Sequence, residues 1–284
     1  MVGDQVEVEE VDWIEYTAVI SKLFPRYSEL SRPAIANIDQ ILLMFALAEP
    51  VLDPYQLSSF LVKAESIGVE VSLCLNKCDL LEVTEQQQWL IRLKRWGYNP
   101  FLLSLRNGKG LEDLTQCLHS RTTVLAGPSG VGKSSLINYL IPKSHQRINS
   151  VSGKLARGRH TTRHVELFKL PTSGLIADTP GFNRPDLTCL PANLASYFLE
   201  TRQYLADGEC QFRNCLHREE PNCVVRGNWE RYKHYLTLLQ SALEYQHQQS
   251  QRKALRINTK GVLVASDTDT VGKLNKRKNI RKHQ

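Results

Sequence analysis

From Ile38 onward, short apolar runs alternate with longer segments whose apolar residues recur every three or four positions. The run ILLMFALAE fits a strand covered on both faces, and PYQLSSFLVKAESIG has the period of an amphipathic helix. VEVSLCLN is the next strand. Thr84 to Trp96 reads as a helix opened by a T-x-x-Q capping box at Thr84 and Gln87. FLLSL, TTVLAG, VELFKL and GLIAD supply further strands, with helices over LEDLTQCLH and KSSLINYLI. Such alternation predicts an α/β domain with a mostly parallel sheet.

The two ends of the chain break this pattern. VGDQVEVEE and WIEYTAVI read as two short strands, followed by a turn-like segment with Pro25 and Pro33. They fit the remnant of a small β-barrel, with too few strands to close by itself. After about Pro191 the alternation stops, a Cys/His cluster follows, and a helix is expected from Trp229 to about Gln248. The final stretch, GKLNKRKNIRKHQ, has six Lys or Arg residues and no acid, the composition of a disordered basic tail. The expected division is a β segment over residues 1–34, an α/β domain over 35–190, a Cys/His and helical region over 191–250, and the tail over 251–284.

Composition narrows the field of partners. Of 284 residues, 36 are Lys or Arg and 29 are Asp or Glu, a formal charge of +7. That excess fits an anionic partner such as nucleic acid, and fits a merely solvated surface equally well. No apolar run approaches the roughly 18–20 residues that span a bilayer, and the acidic start MVGDQVEVEE lacks the form of a secretory signal. The seven cysteines are therefore expected in a reducing compartment, the cytoplasm, where metal binding or burial outweighs disulfide formation.

Candidate chemistry begins at Gly127-Pro128-Ser129-Gly130-Val131-Gly132-Lys133-Ser134, a complete G-x-x-x-x-G-K-[ST] phosphate loop between an apolar strand and a helical pattern. Its backbone N–H groups and the helix N-terminus would cradle phosphate oxygens, with Ser135 in the first turn. Lys133 would reach the β- and γ-phosphates, and Ser134 would ligate Mg²⁺. Asp178-Thr179-Pro180-Gly181 follows the strand GLIA; Asp178 would hold the Mg²⁺ shell and Gly181 would offer its N–H to the γ-phosphate. Between these motifs lies Arg159-His160-Thr161-Thr162-Arg163, with Thr162 the first choice for a second Mg²⁺ ligand and Thr161 the alternative. Phe182 stands where Ras-like hydrolases carry a water-orienting Gln, and a phenyl ring can align no water. His160 is the nearest replacement, although a lone His in a polar loop is often a bystander.

Asn76-Lys77-Cys78-Asp79 fits N-K-x-D at the end of VSLCL. The Asp79 carboxylate can accept from both N1–H and the exocyclic amine of guanine, groups that adenine lacks, and hydrogen bonding of this kind discriminates by orders of magnitude. Lys77 would lie along the base and Asn76 brace the phosphate loop. Ser104, with Leu105 in place of the usual Ala, is the candidate for the last base-contacting loop. The motifs thus imply a GTP site, yet in reversed order, since N-K-x-D precedes the phosphate loop. A circularly permuted α/β P-loop GTPase accommodates that order, because termini in such domains lie close enough to be rejoined.

Cys210-x4-Cys215-x-His217-x5-Cys223 offers three thiolates and one imidazole, the closed donor set of one structural Zn²⁺. Reduced cysteines packed as small hydrophobes, the reading for Cys74, Cys78, Cys117 and Cys189, is the alternative.

With these motifs assembled, the chain resembles the ribosome small-subunit-dependent GTPase A family, RsgA, also called YjeQ. The resemblance rests on RPAIANIDQ from Arg32 to Gln40, on NKCD, GPSGVGKSS, GRHTTR and DTPGF in that order, and on Cys210, Cys215, His217 and Cys223. It implies a partial N-terminal OB-fold, a permuted GTPase and a C-terminal zinc-binding helical domain. It also implies a role in late maturation of the 30S subunit through 16S rRNA, with turnover stimulated by that subunit, and a catalytic role for His160, to set beside the Lys133 and Thr162 expected to act in catalysis from the motifs. A monomer without membrane attachment is expected. A GTP-dependent protein acting on another RNA such as tRNA, with little turnover of its own, is the competing reading.

Overall fold

The computed structural model describes residues 1–31, 34–141, 165–178, 188–227 and 229–251. Two hairpins open the chain. β1 (Val6–Asp12) pairs antiparallel with β2 (Thr17–Leu23), and β3 (Glu29–Ser31) pairs with β4 (Ala34–Ala36). WIEY, expected within the second strand, forms the turn of the first hairpin instead. The Asp12 carboxylate accepts from the N–H groups of Ile14 (2.8 Å) and Glu15 (3.1 Å), which closes the chain back before β2 begins. Every residue of β1 and β2 is exposed.

A six-stranded sheet forms the centre. β5 (Gln40–Ala46) leads to α1 (Pro54–Glu65), β6 (Glu70–Asn76), α2 (Val83–Arg95), β7 (Phe101–Leu102), α3 (Leu111–Leu118), β8 (Thr122–Ala126) and α4 (Lys133–Leu140). β9 (Glu166–Lys169) and β10 (Leu175–Asp178) complete it, in the spatial order β7-β6-β5-β8-β10-β9. All neighbours are parallel except β9 with β10. The strand before the phosphate loop thus lies inside the sheet, flanked by β5 from earlier in the chain and β10 from later. FLLSL narrows to the two residues of β7, because the chain turns at Ser104.

Alternation along β5, buried throughout, builds both core layers. Ile41, Leu43 and Phe45 pack with Phe60 and Leu61 of α1 and Leu93 of α2. Leu42, Met44 and Ala46 pack with Leu114 of α3 and Leu136 of α4 on the opposite face. Burying one such Leu or Phe side chain is worth about 1.5–3 kcal/mol, so a one-residue slip of β5 would exchange its contacts between the layers. At the strand's start Gln40 is buried yet bonded, its Nε2 donating to Cys117 O (2.8 Å) and Thr123 Oγ1 (2.9 Å).

The start of α2 differs from expectation. Glu82, not Thr84, caps it, and its N–H donates to Glu85 Oε2 (3.2 Å). E-x-x-E and T-x-x-Q overlap in this stretch. The register is set by Gln86, whose buried amide must face the turn at Cys78 and Leu81.

Beyond the sheet, α5 (Leu199–Asp207) is a helix that the sequence pattern did not announce, and a last helix, α6, runs over residues 232–251. Their core joins Phe198, Trp229, Tyr235 and Leu239 with Val62 of α1. No helix among the described residues is long and apolar enough to cross a membrane.

Candidate functional site

Parallel strands deliver their C-terminal ends to one edge of the sheet, where α/β proteins bind ligands. Asn76 to Asp79 follow β6, Ser104 follows β7, Gly127 follows β8, and Asp178 ends β10 paired with Leu125 of β8. Five segments far apart in sequence, counting the turn after β5, therefore meet around one crevice.

The phosphate loop turns where side chains cannot follow. A Cβ on Gly127 (φ 141°) would lie 2.1 Å from Met44 O, and one on Gly132 (φ 103°) would lie 2.5 Å from Asn76 Nδ2. Val131 and Pro128 are buried, whereas Ser129, Gly130, Ser134 and Ser135 face solvent at the N-terminus of α4. Lys133 folds over the loop, its Nζ donating to Gly127 O (2.7 Å) and Pro128 O (2.6 Å). That pose holds an ammonium beside the backbone N–H groups where phosphates would bind.

Asn76 ties the two motifs together. Its Nδ2 donates to Val131 O (2.8 Å) inside the phosphate loop, and its Oδ1 is buried without a partner. A buried unpaired acceptor costs about 1–3 kcal/mol. Lys77 adopts a left-handed backbone (φ 57°), and its ammonium donates to Glu49 O in the turn after β5. Cys78 is buried, which pushes its thiol up. Asp79 is exposed at the mouth of the crevice. Ser104 is fully buried, with its hydroxyl accepting from Asn107 N–H (3.3 Å) and its own N–H donating to Lys109 O (3.0 Å).

His160, Thr161, Thr162, Gly181 and Phe182, the basic tail, and the side chain of Asp178 lie outside what the structure describes. Gln86 and the Glu49 carbonyl are contacts that the sequence reading missed. Neither belongs to a motif, and a Gln on a polar helix carries no signal of its own.

The Cys/His cluster is compact. The ligand atoms of Cys210, Cys215, His217 and Cys223 all lie within 4.8 Å of one another. Cys210 Sγ is 3.8 Å from Cys223 Sγ and 3.5 Å from His217 Nδ1, which is 3.3 Å from Cys223 Sγ. A tetrahedron with Zn–S near 2.3 Å and Zn–N near 2.0 Å has edges of roughly 3.5–3.8 Å, so the donor set fits zinc. His217 N–H and Arg226 N–H point at Cys215 Sγ (3.4 Å) and Cys223 Sγ (3.3 Å), as donors that stabilise thiolates. Burial pushes the Cys215 thiol up, a shift that a bound cation would offset. Burial would also raise the Glu220 carboxyl, but the N–H groups of Leu216, Arg218 and Glu219 hold it down at about 2. All seven cysteines are free of disulfides; Cys74 and Cys78 are buried, and Cys117 and Cys189 half-buried.

Comparison with known proteins gives a consistent picture. The family model described as RsgA GTPase matches residues 23–188. The small ribosomal subunit biogenesis GTPase RsgA of Microcystis aeruginosa is 58% identical over 243 residues, covering 86% of this chain and 68% of the relative. Its namesake from Trichormus variabilis is 55% identical over 265 residues, covering 92% and 72%. Among solved structures, YloQ, described as a circularly permuted GTPase, superposes with a TM-score of 0.69 at 31% identity, covering 86% of this chain and 81% of that one. YjeQ from Thermotoga maritima gives 0.71 at 29% identity, covering 85% and 84%.

Proposed function

Because this chain belongs to the RsgA GTPase family, we propose that it hydrolyses GTP during maturation of the small ribosomal subunit and that the 30S subunit stimulates its turnover. The fold is that of a circularly permuted GTPase, the reaction converts GTP to GDP and phosphate, and GTP with Mg²⁺ is what such an enzyme uses. The observation that carries this reading is the crevice where Asn76 bonds the Val131 carbonyl, joining a guanine-type motif to a phosphate loop despite their reversed order.

Each residue then has a role. Asp79 accepts from the guanine edge, Lys77 lies along the base, and Asn76 and Ser104, with Cys78, hold the pocket in shape. Residues 127 to 135 enclose the phosphates, with Lys133 leaving the loop carbonyls for the β- and γ-phosphates. Ser134 and Thr162, aided by Asp178, would hold Mg²⁺, which neutralises charge developing on the phosphate oxygens. Gly181 donates its N–H to the γ-phosphate, and His160 orients the attacking water in place of the Gln that Phe182 displaces. Cys210, Cys215, His217 and Cys223 hold one structural zinc. We assign the chain to the cytoplasm as a monomer that contacts 16S rRNA, with the four-part division at residues 34, 190 and 250. Residues 1–34 serve as a partial OB-like segment.

GTP turnover by the zinc-loaded protein, measured alone and with purified 30S subunits, 50S subunits or tRNA, tests this function. Stimulation by 30S alone is expected. Equal stimulation by tRNA, or tight GTP binding with no turnover under any condition, would overturn it.

A further inference from the structure

The two loops proposed to read the base leave β6 and β7 side by side, with Leu103 N–H donating to Leu75 O (2.8 Å) and Cys78 N–H to Leu103 O (3.2 Å). A side chain from α2 adds a further link. Gln86, only 6% exposed, directs its Nε2 to Cys78 O (2.7 Å) and Leu81 O (2.9 Å). Its Oε1 accepts from Lys109 Nζ (2.9 Å). Lys109 belongs to the second loop, where its carbonyl accepts the Ser104 N–H and its own N–H donates to Asn107 Oδ1 (3.0 Å).

We infer that Gln86, with Lys109, is a positioning residue for guanine recognition that sets the orientation of Asp79. The inference rests on the proposed GTP site. The Cys78 carbonyl belongs to the peptide that leads into Asp79, so a donor fixing that carbonyl fixes the peptide plane and the direction in which the carboxylate leaves it. Without the Gln86 amide, the Leu81 carbonyl loses its side-chain donor and the Cys78 carbonyl keeps the longer bond from Leu81 N–H (3.3 Å), which holds the plane less firmly. Both N–H groups of the amide and its oxygen are engaged, leaving it no other arrangement with the same bonds. Lys109 closes the brace, so a shift of the Ser104 loop is felt at Asp79.

The test is calorimetric binding of GDP, IDP and ADP to the full-length, zinc-loaded protein and its variants, with thermal melts alongside. IDP lacks the exocyclic amine, so the GDP-to-IDP ratio reports how well the Asp79 carboxylate is aimed. Gln86→Met keeps the volume and removes every hydrogen bond. It is expected to weaken GDP binding about tenfold, the effect of one lost buried hydrogen bond, and to lower the GDP-to-IDP ratio. Gln86→Glu retains the acceptor for Lys109 but cannot donate to the carbonyls, and should fare no better. Lys109→Met is exposed enough to fold should the Gln86 variants fail, and should lower the same ratio by a few-fold. A role confined to stability would shift the melts and leave the ratio unchanged. An unchanged ratio in Gln86→Met, or in Lys109→Met should the Gln86 variants not fold, overturns the inference if Asp79→Asn loses its preference for guanine. If wild-type protein binds ADP as tightly as GDP, the GTP site itself fails and the positioning role with it.

Discussion

At the scale of single residues, the proposed GTP site makes specific chemical demands. The Asp79 carboxylate can only accept, so Asp79→Asn places a donor against the guanine N1–H or amine. GTP binding should fall by roughly a hundredfold or more, with xanthosine triphosphate binding in its place; competition between the two nucleotides measures this. Gly132 sits at φ 103° with the Asn76 amide where its Cβ would be. Gly132→Ala should cost about 1–3 kcal/mol in backbone strain and push Asn76 away from Val131, which a thermal melt and GDP titration would register together. His160→Ala is expected to lower 30S-stimulated turnover by about 10²-fold or more while GTP affinity stays the same. Unchanged turnover would remove His160 from the mechanism.

Elements differ in how far their sequences reveal them. β5, α1 and the phosphate loop were legible because periodicity and glycine chemistry act locally. The cap of α2 was not, since two overlapping signatures competed and the winner depends on Gln86 reaching back to Cys78 and Leu81. The WIEY turn was missed for a similar reason: aromatic and β-branched residues favour strands, and only the Asp12 carboxylate receiving two N–H groups diverts them. α5 went unseen because its apolar face is small and its anchor, Phe198, precedes it against Trp229 and Tyr235. In the Cys/His element the spacing was plain, and the structure adds the supporting bonds, with Tyr235 Oη donating to Leu216 O (2.7 Å) and Tyr232 Oη to His217 O (2.8 Å). Mass spectrometry under native conditions should find one zinc per chain. Its removal by a chelator, or Cys223→Ser, should unfold this segment, because too little apolar surface is present there to replace metal binding.

On the scale of the whole molecule, α1 and α2 are clamped to the region that follows the sheet. Arg231 is fully buried, paired with Glu200 through its Nε (2.7 Å) and stacked over Trp96 and Phe198 at 4.7 and 4.8 Å. Trp96 Nε1 donates to Glu230 Oε2 (2.9 Å), and His234 Nδ1 meets Ser58 Oγ at 2.8 Å. Breaking the buried pair by Arg231→Met should cost about 3–5 kcal/mol, since Glu200 would be left charged and alone. Adding Glu200→Gln should recover part of that loss in a denaturant melt. In sequence, the region that forms this clamp follows β10, whose end lies at the proposed nucleotide site. A flexible insertion near Pro191 should leave GDP binding intact and weaken stimulation by 30S; equal stimulation would argue against coupling through this path.

Placing β8 between β5 and β10 also has a consequence for synthesis. Of the six sheet strands, β5, β6 and β7 leave the ribosome first, and β5, apolar but for Gln40, must wait with one edge bare until β8 emerges. During translation this half-sheet is a ready target for strand addition by another chain. A nascent chain stopped where only the segment through α3 has left the ribosome should therefore recruit chaperones, and one long enough to have released β8 and α4 as well should let them go.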